Sequence, residues 1–442
     1  MEIYRTDLIP LKFLTIYIFI GVSLSFWGPI TYLDYNKLPV AVYMISFLIL
    51  FTIGYLLGSA TGQKVYTQVN IDYENYIFRK VLFWVKISIL IISFIQFINL
   101  VLAISNGTLN LNISKMGEAY VNTYEDYARG QGNIHLSFLI QTLTYIPYLV
   151  TLILGAFYFK KLPFMYKLFV IFTYLSIILL ETIGHGKQKQ LGDIFVFLMI
   201  TFLLKIDISN PIVRKKIFKK MLLFSIIGIS ALVTVLYFRY AAIGIDIDNI
   251  NSKVIVAIQY DVNNIIFDIF GNIIGFPLSV FSGYLSQGYY GLSLCMQEPF
   301  EWTYFMGNSY SLTVFMQRFL DVPIDFHDTY PYRAAVNSNW DESKWSTVFA
   351  WFAGDFTFFG TLILFTLIAF LYARVWIEAY RYKNPISIIL FSMLTIALLY
   401  IPANNQLLHT PGSIIAVFFF LMLWIFRHKR FNFIHLTSLE SR

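Results

Sequence analysis

The stretch RKKIFKKMLLFSIIGISALVTVLYFRY, residues 214–240, decides the fold. Five cations, Arg214, Lys215, Lys216, Lys219 and Lys220, precede a run from Met221 to Tyr240 that carries no charge until Arg239. A helix crosses a bilayer core with roughly 20 apolar residues, and Lys and Arg collect at the cytoplasmic end of such a helix. Residues 221–240 therefore read as a span that leaves the cytoplasm and delivers Arg239 to the opposite interface.

Outward from this stretch the same signal recurs, giving about ten spans in all. Those before it are Leu11 to Leu33, Val40 to Ala60, Val81 to Ile104, Ile134 to Phe159, Phe164 to Ile183 and Leu191 to Leu204; those after it are Trp345 to Tyr372, Pro385 to Tyr400 and Ile414 to Phe426. Every second connection is basic: Lys64, Arg79 and Lys80; Lys160 and Lys161; the 214–220 cluster; Arg374, Arg381 and Lys383; and Arg427, Lys429 and Arg430 in the tail. The alternate connections carry few cations, so an even number of spans places both termini in the cytoplasm.

Composition agrees, with 58% hydrophobic and 13% charged residues and a mean hydropathy of +0.66, outside the range of soluble domains. The fold class expected is an all-α polytopic membrane protein. Its net charge of +7 is accounted for by anchoring at the cytoplasmic leaflet and calls for no nucleic-acid partner. The first apolar stretch has full span length and no small-residue cleavage site, so it reads as a retained helix rather than a signal peptide. The single cysteine, Cys295, excludes an intramolecular disulfide and a cysteine-built zinc site.

Two external segments interrupt the rhythm and set the organisation. Residues 1–240 hold seven spans with a polar, Tyr-rich loop at 105–133; residues 241–344 form a large external loop; residues 345–442 hold three more spans and the basic tail. A connection of roughly a hundred residues is far longer than compact folds need, which marks it as the working part. Its middle, Ile269 to Met296, is interrupted by Gly271, Gly275, Pro277, Gly283, Gly288 and Gly291, and reads as short interfacial or re-entrant helices.

Chemistry is expected where charge is costly yet present. The turn Gly184-His185-Gly186-Lys187-Gln188-Lys189 lies on the outer side against the charge trend; it is either a solvated turn or a place where backbone amides, Lys187 and Lys189 meet a phosphate. Arg239 reaches the same interface, as a headgroup anchor or as a second phosphate ligand. Arg318 and Arg333, in the large loop, offer guanidinium forks that match phosphate oxygens, and His327, Asp325 and Asp328 are the acid/base candidates beside them. Tyr284, Tyr289, Tyr290, Trp302 and Tyr330 are candidate sugar platforms, with interfacial aromatic belts as the plainer explanation. Glu181 and Asp355 are ionisable residues within spans, expected to pair inside the bundle; Glu181 lies four residues before His185, on one helical face if the helix continues.

The Gly184–Lys187 turn, the element Phe238-Arg239-Tyr240, the long loop before the eighth span, the segment YLSQGYYGL at 284–292, and Trp345-Ser346-Thr347 followed by Gly354-Asp355 resemble the O-antigen polymerase (Wzy) family of bacterial inner-membrane proteins. Where relatives in that family carry Arg in the turn, this chain has Lys187. The resemblance covers most of the chain and rests on short motifs. It implies a GT-C-like fold and a metal-independent glycosyltransferase at the periplasmic face, joining undecaprenyl-pyrophosphate-linked oligosaccharide repeat units. Lys187, Lys189, Arg239, Arg318 and Arg333 would then stabilise the pyrophosphate leaving group, and a chain-length regulator would be a partner alongside membrane lipids. No cofactor is expected. The external segments are read as lacking an Asp-x-Asp pair, so metal-bound nucleotide sugars are not expected as donors. An O-antigen ligase and a lipid-linked oligosaccharide flippase remain open alternatives.

Overall fold

A computed structural model describes residues 5–62, 71–107, 109, 112, 115–120, 136–205, 211–320, 325–338, 340–341 and 344–430. The protein is an all-α polytopic membrane protein. Among the described residues, seven helices are long and apolar enough to cross a bilayer: Thr6–Trp27, Lys37–Thr61, Phe78–Ser105, Phe164–Gly184, Phe218–Ala242, Ile265–Cys295 and Thr347–Tyr382. Thr142–Gly155, Pro385–Leu399 and Pro411–Phe426 are shorter apolar helices, and Lys189–Leu204 is a further helix of 16 residues.

Six of the seven long helices coincide with expected spans. The seventh, Ile265–Cys295, is the segment expected to break into short pieces; it is instead one helical run with a single break at Gly271, whose φ is 65°. Its later glycines are contact points rather than interruptions. A Cβ on Gly288 would sit 1.8 Å from the Pro402 carbonyl oxygen, and one on Gly291 would sit 2.5 Å from that of Trp345. Lipid tails are as apolar as leucine, so association of helices in a membrane relies on such close backbone approach.

The chain divides into two compact units. The first comprises Met1–Val65, Asp246–Ile377 and Met393–Val417. In it the first helix ends at Trp27, before Pro29, and Ile30–Tyr32 pairs antiparallel with Ile258–Tyr260, matching Ile30 to Tyr260. This ribbon ties the start of the long loop to the first helix hairpin. Helix Lys37–Gly62 packs along Thr347–Tyr382, with Gly58 against the Phe370 carbonyl and Phe47 against Phe349 and Phe365. The Tyr55 hydroxyl donates to the Asp7 carbonyl at 2.7 Å. Cys295 is fully buried at the end of its helix.

The second unit comprises Tyr66–Ile245, Glu378–Ser392 and Phe418–Arg442. Two of its helices widen into π turns, Val150–Gly155 after Pro147 and Ile178–Gly184 after Ile177. Pro147 lacks the amide that would hold the preceding turn, a natural place for the ladder to slip. One end of the unit gathers cations: Lys205 Nζ donates to the Ala156 carbonyl at 2.9 Å, Lys383 Nζ donates to the Leu204 carbonyl, and Lys161 lies 4.7 Å from the Phe78 ring. There the buried Glu378 carboxylate accepts from Ser387 Oγ at 2.7 Å and Trp424 Nε1 at 2.8 Å. The opposite end carries the 184–187 turn.

Candidate functional site

The candidate residues fall into two sets, one in each unit. In the second unit the π turn ends at Gly184, so the helical face that would align Glu181 with His185 stops short. Glu181 instead holds the turn from below: its carbonyl accepts from Lys187 N at 2.9 Å, and its carboxylate accepts from Lys187 Nζ at 3.2 Å. Gly186 takes a φ of 65°, and a Cβ there would meet the Met116 carbonyl at 2.4 Å and Tyr120 Cβ at 2.8 Å. Only glycine satisfies both demands.

Residues 115–120 are the piece that sequence reasoning missed. They wedge between the turn and the end of helix Pro211–Ala242. Gly117 packs on the Arg239 carbonyl and on Ala242, and the Arg239 guanidinium lies over the Tyr120 ring with Cζ 3.2 Å from its centre. Stacking of this kind fixes the guanidinium plane. The wedge thus brings Lys187, His185 and Arg239 to one end of the unit. Half-burial pushes the His185 imidazole below its ordinary value, with the charge of Lys187 adding to the effect and Glu181 opposing it. Lys189 is spent differently, in an i,i+4 pair with Asp193 at 2.6 Å.

The second set lies in the first unit. Asp325 and Asp328 form a capping box around the turn Phe326–Asp328. His327 Nδ1 lies 2.6 Å from Asp325 Oδ1 in an exposed pair, and the His327 backbone amide and ring hold the Asp325 carboxyl below its usual range. Arg333 acts as a clamp, donating from Nε to the Asp328 carbonyl, from Nη1 to Glu301 and from Nη2 to the Pro299 carbonyl, each at 2.9 Å. Arg318 lies on helix Tyr310–Leu320, but its side chain is outside the described residues.

The aromatic candidates separate by burial. Tyr289, Tyr290 and Tyr330 are 0, 4 and 3% exposed, which leaves no ring face open to a sugar; Tyr290 stacks on Tyr32 and meets Trp340. Tyr284 rests against Trp345. Trp302 is 49% exposed and is joined by Tyr304 at 4.5 Å and Phe305 at 5.6 Å. Tyr304 and Phe305 both adopt left-handed φ, 53° and 63°, a costly conformation that surrounding structure must enforce.

Asp355 supplies that enforcement. Expected to form an ion pair, the buried carboxylate instead accepts from Thr303 Oγ1, from Asn308 Nδ2 at 2.6 Å and from Asn308 N at 3.2 Å. It fastens both ends of the aromatic loop to helix Thr347–Tyr382. The segment expected to be external also contains an Asp-x-Asp, Asp246-Ile247-Asp248, contrary to the sequence reading. Asp246 Oδ1 accepts from the amides of Asp248 and Asn249 at 3.1 Å, so the Asp246 carboxylate serves a turn. No group of three potential metal ligands stands together among the described residues. Compared with family models, curated proteins and solved structures, the chain gives no match.

Proposed function

We propose that this chain is an inner-membrane glycosyltransferase that polymerises undecaprenyl-pyrophosphate-linked oligosaccharide repeat units at the periplasmic face. The observation that supports it most is the convergence of Lys187, His185 and Arg239 at the end of the second unit opposite its lysine-rich end. By the charge rule that end is external. A stacked guanidinium and a glycine-held ammonium suit a pyrophosphate, whose departure leaves negative charge that fixed cations stabilise. Lys187, Lys189 and Arg333 each hold a carboxylate, of Glu181, Asp193 and Glu301; a pyrophosphate would compete with Glu181 for Lys187, Lys189 and Arg333 contribute through field or framework, and Arg318 remains a candidate ligand.

In the first unit the Asp325–His327 pair has the form of a base held by an orienting carboxylate, suited to taking a proton from a sugar hydroxyl. Asp328 supports the turn, and Trp302 with Tyr304 offers the open aromatic surface for sugar C–H faces. The ten-span arrangement, cytoplasmic termini and a long Ile265–Cys295 helix that does not complete a crossing belong to the same reading, as does a chain-length regulator as partner. The surface-glycan profile of a deletion strain tests it. Single repeats on core, with the ladder restored by the intact gene, are expected. Bare core with accumulated lipid-linked polymer would instead indicate a ligase, and bare core with single units trapped inside would indicate a flippase.

A further inference from the structure

At the other end of the second unit, a cavity of about 1040 Å³ opens among residues of the helices Phe164–Ile177, Lys189–Leu204 and Pro211–Ala242. Its body is apolar, walled by side chains such as Val170, Leu175 and Ile227, while Lys160, Lys205, Lys216 and Lys220 line it from the basic end. No carboxylate is among its lining residues in the described part of the chain. Lys216 and Lys220 are one helical turn apart and so present their ammonium groups from one face; Lys205 is set by its bond to Ala156 and by the Phe157 ring at 5.5 Å. Within the apolar wall stands one polar anomaly. Thr201 is 6% exposed, and its hydroxyl has no hydrogen-bond partner among the described residues.

We infer that this cavity is a binding site for an anionic membrane phospholipid, with the headgroup phosphate among the four lysines and the acyl chains along the apolar wall. Lys160, Lys216 and Lys220 gather positive charge at the basic end of an apolar cavity, and a lipid phosphate neutralises it without leaving the membrane. Basic pockets between spanning helices on the cytoplasmic side are suited to phosphate headgroups, and the cavity is at the upper end of the about 300–1,000 Å³ of small-ligand sites. A glycerol ester oxygen gives the Thr201 hydroxyl the acceptor that the described residues do not. The site lies at the end of the unit away from the 184–187 turn, and the inference does not rest on the glycan reading.

The test is native mass spectrometry of the full chain purified in detergent and titrated with cardiolipin, phosphatidylglycerol or phosphatidylcholine. Cardiolipin and phosphatidylglycerol should be retained in preference to phosphatidylcholine. K216Q/K220Q should weaken that retention by about tenfold or more, and K216R/K220R should preserve it, which separates loss of charge from loss of fold. Equal retention of phosphatidylcholine, or unchanged cardiolipin binding by K216Q/K220Q, would overturn the assignment. So would displacement of the lipid by millimolar inorganic phosphate, because the apolar wall would then contribute nothing.

Discussion

Lys187 is held by its own turn, which makes its charge separable from its structural role. Its side chain is 40% exposed and bridges to Glu181, a pairing that contributes little to stability at that exposure. Lys187→Ala should therefore leave the protein folded while lowering polymer formation at least tenfold, and Lys187→Arg should retain most of it; glycan ladders from the two strains decide this. Equal ladders would assign the turn to solvent. His185 makes the same region sensitive to acid. Its folded value lies below the ordinary 6.5, so its contribution to stability is complete above that value and is lost as pH falls through the lower, folded one. Corrected for the intrinsic slowing of exchange in acid, the protection of the 184–187 amides should fall between pH 7 and pH 5, and His185→Gln should flatten the response. Asp355 works through hydrogen bonds alone. Asp355→Ala strands Thr303 and two Asn308 donors and should destabilise by about 3 kcal/mol, with faster proteolysis of 300–309 as the local sign; Asp355→Asn should lose less. Lys187 and Arg239 stood out in the sequence because the charge rule makes cations at their expected interface anomalous. Tyr120 and Gly117 were not, since no spacing links residue 117 to 239 and only the folded wedge joins them.

Among the elements, glycine carried the signal that was hardest to read. In Ile265–Cys295 the glycines suggested a broken, interfacial segment, yet each substitution experiment that the fold invites asks a different question of them. Gly58→Ala and Gly288→Ala would push a methyl to 2.3 Å and 1.8 Å from backbone carbonyl oxygens; neither neighbour can rotate away, so helices must separate, at a cost of about 1–3 kcal/mol. Gly192 lies on Lys189–Leu204 with nothing within 4 Å of its Cβ position, and Gly192→Ala should be neutral or stabilising by up to about 1 kcal/mol. Thermal unfolding in detergent measures all three. Span positions were readable because hydropathy is a local property averaged over twenty residues. Whether a glycine ends a helix or admits a neighbour depends on the partner, which one segment of sequence does not contain. The π turns had a partial signature in Pro147; Ile178–Gly184 had none.

At the scale of the molecule, the second unit has a basic end and an end that carries the turn, and the charge rule orients them. Single cysteines at Lys115 and Lys219 should label from opposite sides of the membrane: the impermeant maleimide should reach position 115 in intact spheroplasts, and position 219 only after permeabilisation. Labelling of both from the same side would reverse or dismantle the topology. The two sets of candidate residues were equally visible in sequence, but their assignment to separate units was not, because Glu378–Ser392 and Phe418–Arg442 join a unit whose other residues lie more than a hundred positions earlier.

Cys295 is the chain's one thiol, and it is wholly buried where Gly291 meets Trp345. It therefore makes the unaltered protein its own clock. Alkylation of the native thiol can proceed only when the packing around the end of Ile265–Cys295 opens, so the modification rate reports those openings with no label to introduce.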